Sequence, residues 1–278
     1  MCASSNMTSL RQCSSSLPSF FHRERGRWQG RRQERAVPLW QSAARARRQQ
    51  RYGAPLFRAN NQAHSPSITI IILFSHPAAI VMPDADLALA VPAVFFGSVG
   101  TAGQRCTSTR RLYLHRSIAP DFLARLQKLY ASLQPGDPLD ARTLLGPLHT
   151  PAAATAYDSA IAELQGAGAQ ILVGGSRYAQ PDHLAGSGNF VRPTIALPPS
   201  SSLSSSDGAL WATERFAPVL LVAEFEELDQ AIAWNNAVPQ GLSSSLWARD
   251  VRSVGKWIGP AGSDAGIVNV RFLPSSPV

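Results

Sequence analysis

Three cysteines occur in this 278-residue chain, and one of them stands where it could act as a nucleophile. Cys106 lies in Val99 to Arg111, VGTAGQRCTSTRR, between a helical run and a strand. A thiol reacts as its thiolate, which is favoured by neighbouring positive charge and by backbone N–H groups aimed inward at a turn. Arg105 beside it and Gly103 just before it meet that demand, and Arg110 follows four residues later. The other reading of a solitary cysteine is a buried structural thiol, and both stay open on the residues alone. Cys2, Cys13 and His22 lack the close pairing of a zinc site, and no CxxC pair occurs, so no metal is expected.

The elements around this stretch are legible from period and punctuation. Asp84 or Asp86 can cap a helix over LALAVPAVFF, whose apolar positions Leu87, Leu89, Val94 and Phe95 are nearly continuous. That pattern predicts a buried helix bent at Pro92. Arg111 to His115 alternates as a strand does. Pro120 opens a helix with Phe122, Leu123, Leu126, Leu129 and Tyr130 on one face. The turn Pro135 to Pro138 ends that unit. Thr150 and Pro151 start another helix carrying Tyr157, Ile161 and Leu164, which stops at Gly166 and Gly168 before a strand at Gln170 to Val173. Strands are further predicted at Phe190 to Leu197, Pro218 to Phe225, Leu242 to Trp247 and Gly266 to Val270. Helices are predicted at Glu226 to Asn236 and Val251 to Ile258, with a loop at Ser200 to Gly208. Strand and helix therefore alternate from residue 111 onward, the pattern of an α/β fold with an open, mostly parallel sheet and flanking helices. Upstream, the β-branched run Ile68 to Leu73 suits a buried parallel strand.

The net charge of +8 suggests an anionic partner until its location is considered. Residues 1 to 67 hold twelve arginines and two acids, or +10, and the remainder carries −2. This Arg- and Ser-rich segment has few aliphatics and no sustained period, which predicts disorder over residues 1 to 67. It is open to three readings: an organellar transit peptide, a solvated basic tail, or sequence outside the folded unit. A nucleic-acid partner is not expected, because no ordered recognition module accompanies the arginines. No stretch approaches the roughly 20 apolar residues of a membrane span. The cysteine usage favours a reducing compartment, cytoplasmic or mitochondrial.

Gly103, Gln104, Arg105, Cys106 and Arg110 together resemble the active-site signature of the aldehyde dehydrogenase superfamily. The longer GTAGQRCTSTRRL resembles its antiquitin branch, the aminoadipate-semialdehyde dehydrogenases. DADL at 84 to 87, TERFAPVL at 213 to 220, AWNNAVPQGLSSSLW at 233 to 247 and GPAGSDAGIVNV at 259 to 270 continue the likeness in order, over Ala78 to Val270. The resemblance implies that residues 68 to 278 form an incomplete aldehyde dehydrogenase catalytic domain. It implies NAD as cofactor and oxidation of an aldehyde such as aminoadipate semialdehyde to its acid, with self-association into a homo-oligomer left open.

By position, Cys106 matches the nucleophile that gives a thiohemiacetal, and its backbone N–H matches one oxyanion donor. Glu214 matches the glutamate that holds the cofactor ribose, and Phe216 the aromatic that packs on the nicotinamide. Arg105 matches a position that helps hold the substrate's distal carboxylate. The departures are equally specific. Ile72 stands where the family has the glutamate base for thioester hydrolysis, and residues 1 to 67 resemble none of the family's cofactor-binding domain. No Gly-rich phosphate-binding turn follows a strand, and RFLPSSPV at the end departs from the pattern. The expectation is the family reaction in impaired form; the alternative is an inactive domain that associates with complete subunits.

Overall fold

The computed structural model describes residues 76–179, 188–203 and 209–271. The expected disorder of residues 1 to 67 and the expected strand at Ile68 to Leu73 lie outside them. Fifteen described elements run in the order β1 (Ala78–Val81), α1 (Leu87–Val99), a 3-10 turn (Gly100–Gly103), β2 (Arg111–His115), α2 (Ala119–Ser132), α3 (Pro151–Gly166), β3 (Gln170–Val173), β4 (Thr194–Leu197), a 3-10 turn (Ser200–Leu203), α4 (Ala209–Ala212), β5 (Val219–Phe225), α5 (Leu228–Asn236), β6 (Ser243–Trp247), α6 (Val251–Ile258) and β7 (Ile267–Arg271).

The seven strands form one sheet in the order β3-β4-β5-β2-β1-β6-β7. All neighbours are parallel except β3 and β4, which pair antiparallel. Successive residues of a strand face opposite sides, and the central strands sort accordingly into two apolar layers. Ile80, Tyr113, Leu221 and Ala223 pack with α3, α5 and Trp257 of α6. Ala79, Val81, Leu112, Leu114, Leu220 and Val222 pack with α1 and α2. Burial on both faces explains why β1, AAIV, shows no alternation in the sequence and is not predicted there.

Three expectations need correction. The helix α1 is not buried all round: its inner face is Ala90, Val91, Val94, Ser98 and Val99, while Leu89 and Phe96 are exposed. The strand predicted at Phe190 to Leu197 is confined to Thr194–Leu197, since Pro193 has no N–H for the ladder. The strict strand–helix alternation also fails, because α2 and α3 follow one another and β3 leads directly to β4.

Side chains cap three of the helices, and the sequence points to Asp86 and Thr150 among them. Asp86 accepts from the N–H of Ala88 at the start of α1, Thr150 from Ala153 at α3, and Asp250 from Arg252 and Ser253 at α6. Asp84 reaches further, accepting from the backbone N–H groups of Arg249 and Asp250, so the β1–α1 connection is tied to the one after β6.

Candidate active site

Because β1, β2 and β5 are parallel neighbours, the segments that enter them meet at one edge of the sheet. Those segments carry His76, the Cys106 turn and residues 213 to 217. The site thus sits at the amino ends of the strands, opposite to the carboxyl-end crevice of doubly wound dinucleotide folds.

The helix α1 ends at Val99, and the chain then reverses through three left-handed residues: Thr101 and Ala102, both at φ 53°, and Gly103 at φ 68°. Left-handed backbone costs a non-glycine residue free energy and is retained where surrounding structure enforces it. At Gly103 that enforcement is contact. A Cβ there would stand 2.3 Å from the carbonyl oxygen of Ala217, so only glycine lets the turn lie against the segment entering β5. Arg105 to Ser108 then closes a tight turn. The N–H of Ser108 donates to the Arg105 carbonyl at 3.0 Å, and the N–H of Arg105 donates to Ser108 Oγ at 3.2 Å. Cys106 occupies the second position of this turn and is exposed, which removes the buried structural thiol as its reading.

Arg110 joins the parts. Its side chain is 2% exposed and is held by carbonyls from both sides of the site. Nη1 donates to Ser108 at 3.0 Å, Nη2 to Arg105 at 3.0 Å and Gly103 at 3.2 Å, and Nε to Arg215 at 3.2 Å. Nη2 also meets Glu214 Oε1 at 3.1 Å, with the Glu214 side chain 5% exposed. The guanidinium carbon lies 5.1 Å from the centre of the Phe216 ring, within range of a cation–π contact. Burial pulls the Arg110 pKa below its usual range, and the charges of Glu214 and Cys106 oppose that pull. The turn that carries Cys106, through its Gly103, Arg105 and Ser108 carbonyls, therefore converges with Glu214 and Phe216 on one cation.

The Arg105 side chain lies elsewhere. Its guanidinium sits over the Phe96 ring at 5.2 Å, and Nη2 donates to the Phe96 carbonyl at 3.4 Å, so it rests on the end of α1 beside the cysteine turn. Gln104 ties that turn to the start of α3, its Oε1 accepting from the backbone N–H of His149 at 3.0 Å and meeting His149 Nδ1 at 2.7 Å.

Glu214 and Phe216 line a groove of about 660 Å³ between the segment before β5 and α3, where Ala152, Ala153 and Ala156 leave space. Arg215 braces this wall, donating to Glu163 of α3 at 2.9 Å and to the Leu210 carbonyl at 2.9 Å. On the other flank, His76 is buried and its carbonyl accepts from Arg111 Nε and Nη2 at 3.0 and 2.7 Å. Burial holds its imidazole well below the ordinary histidine range, and the charges of Arg111, Arg110 and Arg215 act the same way. Among the described residues, no group of three histidines, cysteines or acids could hold a metal ion, and no helix is long and apolar enough to cross a membrane.

The profile of the "Aldehyde dehydrogenase family" matches residues 69–273. The chain belongs to the aldehyde dehydrogenase family. Within it, the chain is similar to "Aldehyde dehydrogenase family 7 member A1" of Pisum sativum, 48% identical over 204 residues. It is also similar to "Alpha-aminoadipic semialdehyde dehydrogenase" of Bos taurus, 43% identical over 208 residues. These alignments take in 73% and 75% of this chain but 38% and 36% of the relatives, so it spans well under half their length. Among solved structures, the betaine aldehyde dehydrogenase of Staphylococcus aureus in complex with NAD+ matches with a TM-score of 0.63 and 28% identity, over 72% of this chain and 38% of that one. The lactaldehyde dehydrogenase of Escherichia coli gives 0.62 and 29%, over 73% and 40%. The fold is therefore part of an aldehyde dehydrogenase catalytic domain.

Sequence reasoning quotes Arg110 within the signature without giving it a role, and it passes over Arg215 and His76. The available signal is two adjacent arginines opening an otherwise apolar strand, since a buried guanidinium requires an acceptor set of its own.

Proposed function

We propose that this aldehyde dehydrogenase chain supplies the nucleophile and one wall of the cofactor pocket for oxidation of an aldehyde. The observation that carries the reading is the convergence of the turn carrying Cys106, through its Gly103, Arg105 and Ser108 carbonyls, and of Glu214 and Phe216 on the Arg110 guanidinium. Cys106 is exposed at the head of a turn, where an aldehyde can reach its sulfur. Attack forms the C–S bond, and the carbonyl π electrons move onto oxygen. The resulting oxyanion takes a hydrogen bond from the N–H of Cys106, the donor implied by the family signature.

The residues present fit one wall for NAD. Glu214 is a carboxylate fixed by its ion pair, suited to accept from ribose hydroxyls, and Phe216 is 43% exposed on the groove, suited to an aromatic ring. When bound there, NAD would accept the hydride from the tetrahedral carbon. Arg105 supports a carboxylate-bearing substrate such as aminoadipate semialdehyde: it is anchored through one nitrogen and stacked on Phe96 beside the nucleophile, and a guanidinium can grip a carboxylate through two N–H groups. Ile72, where the family has its base, cannot activate water for thioester hydrolysis, and with one wall of the cofactor pocket the 278-residue chain stops at the covalent adduct without measurable NADH formation.

Protection of Cys106 tests this reading. Aminoadipate semialdehyde should slow iodoacetamide labelling of Cys106 in a saturable way and leave Cys2 and Cys13 unaffected. Labelling of all three thiols that ignores the aldehyde would overturn it.

A further inference from the structure

We propose that Arg110 is the positioning residue of this site: one guanidinium that fixes the turn carrying Cys106 and holds Glu214 and Phe216 at the same point. The proposal deepens the function given above and rests on it. It assigns to one side chain the task of setting nucleophile and cofactor wall in register.

The geometry requires an arginine. The Arg105 and Ser108 carbonyls flank Cys106, and separate nitrogens of the same planar group bind them, Nη2 at 3.0 Å and Nη1 at 3.0 Å. A third nitrogen, Nε, reaches the carbonyl of Arg215, the residue between Glu214 and Phe216. A lysine ammonium has three donors on a single nitrogen and cannot span acceptors on two segments in this way. The nitrogen that binds the Arg105 carbonyl also meets Glu214 Oε1 at 3.1 Å. Loss of the fork should therefore release the Cys106 turn and the segment carrying Glu214 and Phe216 together, whereas a contact local to one segment would release that segment alone.

The experiment is hydrogen exchange, read by mass spectrometry on the full chain, for the native protein and for Arg110→Lys, which keeps the charge and loses the fork. In Arg110→Lys the amides of residues 101–108 and 213–217 should exchange about tenfold faster, both segments together, while α2 keeps its native protection. Native exchange in both segments of a folded Arg110→Lys, or loosening of one segment alone, would overturn the proposal. In the native protein the two segments should open as one unit with the same protection; that comparison decides if Arg110→Lys does not fold, and separate openings would count against the proposal. Hydrogen exchange needs neither aldehyde nor NAD, so failure of the aldehyde to protect Cys106 would overturn the function and leave this proposal standing.

Discussion

Arg110 and Glu214 form a buried ion pair whose charged atoms meet at 3.1 Å with 2% and 5% of their side chains exposed. Such pairs offer little net stability over a well-packed apolar pair, yet removing one partner strands the other charge. Arg110→Met should therefore destabilise the folded chain by about 3–5 kcal/mol, and the double variant Arg110→Met/Glu214→Leu by less than that. Urea unfolding of the two variants checks the order, and a double variant less stable than the single would be the contrary result.

Two glycines should respond in opposite ways to alanine. At Gly103 the added Cβ meets backbone at 2.3 Å and the residue sits at φ +68°, so Gly103→Ala should cost about 2 kcal/mol or more and slow Cys106 alkylation. At Gly255, inside α6, nothing lies within 4 Å of the added Cβ. Gly255→Ala should stabilise by about 0.5–1 kcal/mol through helix propensity. Thermal unfolding of both variants, with alkylation rates alongside, checks the contrast.

His76 predicts an acid-side loss of stability. Its folded pKa is depressed by burial first and by three arginines second, so below the ordinary value of about 6.5 the unfolded chain binds a proton that the folded chain refuses. The contribution is constant above that pH and is lost as pH falls, by roughly 1 kcal/mol per unit until the depressed pKa is reached. His76→Gln should flatten that slope between pH 6.5 and 5.5 in urea titrations; an unchanged slope would assign the acid sensitivity to other groups.

Arg105 predicts discrimination between aldehydes. Arg105→Gln should raise the concentration of a carboxylate-bearing aldehyde needed to protect Cys106 by about tenfold, the loss of one charge-assisted contact. Protection by a neutral aliphatic aldehyde should be unaffected. An equal effect on both would place Arg105 in the turn's architecture and not at the substrate.

The elements that could be read from the sequence are those with a local physical cause. The strand β2 lies between glycine-flanked and helical stretches, and α3 begins at Thr150, whose side chain caps it. The strand β1 has four apolar residues buried on both faces, so neither alternation nor length marks it. The pairing of β3 with β4 depends on strand partners and not on local period. At the site, Cys106 was legible because its neighbours form a signature in consecutive residues. The convergence on Arg110 was not, because it joins residues separated by 105 positions and exists only once β2 and β5 lie side by side. Exposure of Phe96 in an apolar helix was likewise invisible, since the guanidinium of Arg105 that lies over its ring comes from beyond the turn.

The most direct measurement is carbon NMR of the full chain mixed with an aldehyde labelled at its carbonyl carbon. Covalent capture converts that carbon from trigonal to tetrahedral and attaches it to sulfur. The account predicts a thiohemiacetal resonance that saturates at one equivalent, vanishes in Cys106→Ala and survives in the double variant Cys2→Ala/Cys13→Ala. No such resonance at saturating aldehyde, or one that persists without Cys106, would contradict it.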